Sequence, residues 1–143
     1  MSESIDAVSA RSAGPPYAVT LHDGRGHTWQ ADEPSALGGG DTAPDPVELL
    51  LSSLGACTAI TLRMYAARKG WPLADVQVRL RFNPVGKPAS GSDLERRIEL
   101  SGTLDAAQRE RLLQIANACP VHRILAGEIR IETALLGTEA RAP

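Results

Sequence analysis

Apolar and polar residues alternate strictly over residues 75–82 (D-V-Q-V-R-L-R-F). Val76, Val78, Leu80 and Phe82 fall on one face, which predicts a half-buried strand. Residues 94–102 (L-E-R-R-I-E-L-S-G) read as a second strand with Ile98 and Leu100 inward. The connector between them, 83–92, is rich in Pro, Gly and Ser, so the two strands are expected to pair antiparallel. Shorter alternating runs at 17–21 (Y-A-V-T-L) and 27–31 (H-T-W-Q-A) flank the turn-rich H-D-G-R-G and predict a β-hairpin. Residues 5–11 read as an edge strand, and 128–136 (E-I-R-I-E-T-A-L-L) as a last strand.

The pattern changes at residues 46–70, where apolar side chains surround a helical repeat: Leu49, Leu50, Leu51, Leu54, Ala56, Ile60, Leu62 and Met64. A helix apolar on all sides is expected to be buried and central. Its start is marked by Asp45 as N-cap, Pro46 at the first helical position and Glu48 three residues after the cap, a capping box. Arg63, Arg68 and Lys69 restore polarity, Gly70 ends the helix and Pro72 prevents its continuation. A second helix begins at Asp105, with Gln108 as its capping-box partner and Leu112, Leu113, Ile115 and Ala116 as its apolar face. Cys119-Pro120 interrupts it, and a short helix at 121–125 ends at Gly127. Residues 32–45 have no period, contain Gly38-Gly39-Gly40 and read as a long loop, a kind of segment that often carries function. The predicted order is β-β-α-β-β-α-β. Without regular βαβ alternation this points to the α+β class. No repeat or linker divides the chain, so residues 1–143 form one domain, with a core of about 17–136 and a polar tail at 138–143.

A chain of 143 residues suffices for one hydrophobic core, and 43% hydrophobic residues is ordinary for a soluble domain. The net charge of −2 offers no basic footprint for nucleic acid, and 3% aromatic residues offer no stacking platform. The opening M-S-E-S-I-D lacks the pattern of a signal peptide. The charge-free run 49–62 is shorter than the ~20 residues a membrane span needs. A cytoplasmic protein is expected, with no membrane or nucleic-acid partner. In a reducing compartment its two cysteines, Cys57 and Cys119, are not expected to form a permanent structural disulfide.

For Cys57, in mid-helix among Leu54, Ile60 and Met64, an apolar setting raises a thiol's pKa and makes it a small inert hydrophobe. Cys119 is better placed for chemistry. With Pro120 at the first helical position it becomes an N-cap, His122 lies one turn on, and a thiolate there meets unsatisfied backbone N–H groups. The competing reading is a structural kink around a buried thiol. His22, His27 and His122 show no H-x-x-x-H spacing and the cysteines no C-x-x-C, so a metal site is not indicated. A Cys-His hydrolase lacks a glycine-rich nucleophile elbow. A two-thiol redox centre is also possible, in which a sulfenic acid on one cysteine condenses with the other. It needs Cα atoms within about 7 Å, which sequence spacing cannot show.

The runs P-V-E-L-L-L-S-S-L-G-A-C-T, R-M-Y-A-A-R-K-G, V-Q-V-R-L, C-P-V-H-R-I-L and I-E-T together resemble the OsmC/Ohr family, osmotically inducible protein C and organic hydroperoxide resistance proteins, over roughly residues 17–136. D-E-P and G-G-G-D make the chain look most like the broad OsmC-like branch. The resemblance implies an intertwined homodimer, two long central helices with antiparallel sheets wrapped around them. It implies a cofactor-free thiol peroxidase, with Cys57 peroxidatic, Cys119 resolving, and an external thiol or dithiol as reductant. In the family the thiolate pairs with an Arg from the early hairpin, for which Arg25 is the nearest candidate here. A Glu ten residues before the cysteine holds that Arg. Val47 occupies the position in this chain, and the adjacent Glu48 is read as a capping residue. The alternative is a dimeric redox-sensing or small-ligand-binding module with little turnover.

Overall fold

The computed structural model describes residues 7–137. Residues 5 and 6 of the expected edge strand and the tail at 138–143 lie outside the described residues. Three short strands, β1 (Val8–Arg11), β2 (Val19–Asp23) and β3 (Thr28–Ala31), form an antiparallel sheet in the order β1-β2-β3. Asp23 builds the β2–β3 turn. Its carboxylate accepts the Arg25 N–H at 2.8 Å and the His27 N–H at 3.0 Å, while Gly26 takes a positive φ of 95°.

The loop that follows is a built structure around buried Asp32. That carboxylate accepts from the N–H groups of Glu33 (2.7 Å) and Thr42 (3.2 Å) and from the Thr42 hydroxyl (2.6 Å). Gly39 is needed for this closure, because a Cβ there would lie 2.0 Å from the Glu33 carbonyl oxygen. One 3-10 turn, Ser35–Leu37, interrupts the loop.

Helix α1 runs over Pro46–Lys69 and starts with the expected capping box. Glu48 N–H donates to Asp45 at 2.8 Å, and Asp45 N–H donates to the Glu48 carboxylate at 3.0 Å. Its buried residues are Leu54, Thr58, Leu62 and Ala66, one stripe at a spacing of four. The expectation of a helix buried on all sides is corrected here: Ile60 is 56% and Met64 62% exposed. This chain packs only one face of α1, so the other apolar face meets no described residue that covers it. By length and composition α1 is also apolar enough to cross a membrane, but its stripe packs as a core helix does.

Strands β4 (Leu73–Phe82) and β5 (Leu94–Gly102) form the expected antiparallel pair, with Val76 opposite Leu100 and Leu80 opposite Arg96. Arg63 ties α1 to this sheet by donating to the carbonyls of Leu73 (2.7 Å) and Ala74 (2.5 Å), where the register shifts. Gly55 allows the helix to lie close on the strand, since a Cβ would come within 2.9 Å of Leu80 Cδ1. Helix α2 (Ala106–Ala116), capped by Asp105 and Gln108, and helix α3 (Pro120–Ala126) complete the fold. Leu62, Ala66, Leu73, Leu112 and Ala116 form the core between α1, α2 and β4.

The expected last strand at 128–136 is not formed; these residues pair with no described strand. The alternation is present, yet Ile131 is 84% and Leu135 86% exposed, because no strand edge among the described residues receives them. The class is α+β with antiparallel sheets, as expected from the order of elements.

Candidate active site

The fold brings the two cysteines to one point, the first turn of α3. Pro120 opens this helix, Cys119 is its N-cap, and Cys119 Sγ accepts the His122 N–H at 3.3 Å. Cys57, from the middle of α1, places its Sγ 3.5 Å from the N–H of Val121, the preceding residue. Two sulfurs 62 residues apart in sequence are therefore served by consecutive amides, and both are free thiols. Cys119 is fully buried, whereas Cys57 is half-buried.

Behind the thiols lies a polar cluster centred on Arg96 of β5. Its guanidinium donates to Thr58 Oγ1 at 3.0 Å, to Asn117 Oδ1 at 2.9 Å and to His122 Nδ1 at 2.9 Å. A guanidinium can only donate, so His122 accepts through Nδ1 and carries its proton on Nε2. Burial, and then the Arg96 charge, push the His122 pKa below the ordinary imidazole value, in agreement with that neutral form. Thr58 Oγ1 is 3.9 Å from Cys119 Sγ and donates its own proton to the Leu54 carbonyl at 2.7 Å.

Burial pushes the Cys119 thiol up. The His122 N–H, the neighbouring Cys57 and Thr58, and the Arg96 charge outweigh it and hold the thiol below its ordinary pKa. Beside the cluster a cavity of about 270 Å³ opens between Leu54, Leu94, Arg96, His122 and Leu125. A larger cavity of about 410 Å³ between α1, β5 and α2 is lined by Leu62, Leu100 and Leu112 and holds no thiol or imidazole.

Arg25 stands elsewhere. It is exposed in the β2–β3 turn, its side chain pairs with Asp23 at 3.5 Å, and it makes no hydrogen bond or ion pair to either thiol. His27 pairs with Asp23 at 2.7 Å, and His22 Nε2 meets Ser9 at 2.7 Å, so neither joins the thiols. Arg96, Thr58 and Asn117 were not singled out from the sequence. A signal for Arg96 exists: Leu94, Arg96, Ile98 and Leu100 share one face of β5, so the pattern places a charge among inward apolar positions.

A β4–β5 sheet against a long first helix, a separate three-stranded sheet before it, and two thiols meeting at the start of a short third helix define an OsmC-type α+β domain. The OsmC-like protein family model matches residues 38–134, more than half of the chain, and the protein belongs to that family. Among curated proteins none matches the sequence. Solved structures share the fold. An OsmC-like protein from Mycoplasma pneumoniae is 18% identical, with a TM-score of 0.71, covering 89% of this chain and 90% of that one. The organic hydroperoxide resistance protein OsmC from Legionella pneumophila is 24% identical, with a TM-score of 0.59, covering 84% and 88%. The organic hydroperoxide resistance protein OhrB of Bacillus subtilis is 20% identical, with a TM-score of 0.58, covering 84% and 89%.

Proposed function

We propose that the protein is a cysteine-based peroxidase that reduces organic or hydrogen peroxides. The observation that carries this reading is the pair of sulfurs, Cys57 and Cys119, on consecutive amides of α3. Family membership, with hydroperoxide-resistance proteins among the structural neighbours, supports a peroxide-related role. The Cys57 thiolate, the more accessible of the two, attacks the distal peroxide oxygen. The O–O bond breaks, the alkoxide leaves and takes up a proton, and Cys57 becomes a sulfenic acid. The Cys119 thiolate then attacks the Cys57 sulfur and expels hydroxide, which leaves as water, closing a Cys57–Cys119 disulfide. An external thiol or dithiol returns both cysteines to the reduced state.

The active form in this reading is an intertwined homodimer in the cytoplasm, the two α1 helices packed together. Its support is the apolar surface left open on one chain: Ile60 and Met64 on α1, and Ile129, Ile131, Leu135 and Leu136 beyond α3.

A direct test is consumption of an alkyl hydroperoxide with a dithiol reductant. Wild-type protein is expected to turn over, and Cys57→Ser to lose at least about 100-fold in rate. Equal rates for the two proteins refute the peroxidase. A second reading, a redox-sensing or small-ligand module with little turnover, is favoured by one observation. Cys57 has the Val121 N–H as its hydrogen-bond partner and no charged one among the described residues. Reversible disulfide formation without turnover in the same assay selects it.

A further inference from the structure

Arg96 is a half-buried cation with three neutral acceptors and no carboxylate partner among the described residues. Its strand neighbour Glu95 is committed to Arg81 at 3.0 Å and Arg97 at 3.2 Å. A cation partly withdrawn from water gains most from a negative charge nearby. The titratable or charged groups facing the cluster are Arg96 from β5, His122 from α3, Cys57 from α1 and Cys119 at the joint of α2 and α3. His122 is neutral, so among the described residues only the sulfurs can supply a negative charge to the cluster.

The contacts say which sulfur it reaches. Thr58 has one hydroxyl proton, given to the Leu54 carbonyl at 2.7 Å, and accepts from Arg96 at 3.0 Å. Across the 3.9 Å contact, the S–H of Cys119 is then the donor. When Cys119 ionises, the Thr58 proton can turn from the carbonyl to the sulfur, with Arg96 holding the oxygen in place. Cys57 makes no hydrogen bond to Thr58, His122 or Arg96.

We propose that Arg96 is a positioning residue which, through Thr58 and His122, stabilises the Cys119 sulfur when it departs as a thiolate and so sets the direction in which the disulfide is reduced. This rests on the Cys57–Cys119 disulfide proposed above. A small reducing thiolate attacks the accessible sulfur, Cys57. The Cys57–Cys119 bond breaks, a mixed disulfide forms on Cys57, and the electron pair departs on Cys119 as a thiolate. A second thiolate attacks the external sulfur of the mixed disulfide, releasing the oxidised reductant and the Cys57 thiolate. A leaving thiol with a lower pKa leaves faster, so the stabilised sulfur is the one expelled.

Two measurements test this. In a Cys57→Ser background Cys119 is the remaining thiol, and its ionisation is followed by ultraviolet thiolate absorbance against pH. Arg96→Met is expected to raise the midpoint by about one unit, and Arg96→Lys to restore part of the shift. Thr58→Val, which removes the hydroxyl link, raises it too and decides the matter if Arg96→Met does not fold. An unchanged midpoint in the folded variants overturns the proposal. In the wild-type protein, oxidised by one equivalent of hydroperoxide, 2-mercaptoethanol is expected to leave a mixed disulfide on Cys57, with reduction about five- to tenfold slower in Arg96→Met. A mixed disulfide on Cys119 overturns the order of attack. If no Cys57–Cys119 disulfide forms at all, the peroxidase cycle and the order of attack both fall, while the titration still decides whether Arg96 holds the Cys119 thiolate.

Discussion

Asp32 and His122 show how single residues tie stability to pH. The Thr42 hydroxyl and the Glu33 N–H, outweighing burial, hold the Asp32 carboxyl below its ordinary value of 3.8. The fold favours the carboxylate, so its contribution is present above 3.8 and lost as the pH falls through the lower folded value. Asp32→Asn is therefore expected to lower the melting temperature at neutral pH and to flatten the loss of stability in acid. Thermal denaturation of both proteins across the acid range checks this. His122 acts in the same direction at higher pH. The fold favours neutral imidazole, so below its ordinary 6.5 the unfolded chain takes the proton first and wild-type stability starts to decline. At this scale the sequence was partly readable. Cys119 as an N-cap followed from Pro120, a local rule, whereas Arg96 meeting Thr58, Asn117 and His122 depends on three helices converging on β5, which no local rule reports.

At the scale of elements, local chemistry and packing separate cleanly. Both capping boxes, Asp45–Glu48 and Asp105–Gln108, stand as expected because each needs only four consecutive residues. Asp45→Ala should cost about 1 kcal/mol in denaturant unfolding, the loss of one cap. Leu62→Ala should cost more, about 2–5 kcal/mol, because Leu62 is fully buried against Leu112 in the core. A cap variant as damaging as the core variant would contradict that ranking. Alternation predicted β4 and β5 correctly because each supplies the other's edge. The same alternation failed at 128–136, since a strand is a relation between two segments and no described segment pairs with this one. The all-round apolar α1 failed in the same way, its sequence describing more contact than one chain provides.

For the whole molecule these two failures point to one cause. The β1–β3 sheet makes only sparse contacts with the helices, one face of α1 is open, and the segment after α3 is apolar and unpaired. Sedimentation at micromolar concentration is expected to give a dimer, and Ile60→Glu combined with Met64→Glu a monomer with unchanged helix content. A wild-type monomer refutes the assembly. The Cys57–Cys119 meeting was foreseen through family resemblance, as spacing alone could not bring together residues 62 apart. The groups of the thiol site come from positions 57, 58, 96, 117, 119 and 122, so four of the six belong to the last third of the chain. During synthesis Cys57 emerges long before the strand that carries Arg96 or the amide of Val121. Until those are seated it stands alone on an unfinished helix. The order of residues along the chain thus acts as a timer, keeping the two thiols apart until the domain is complete.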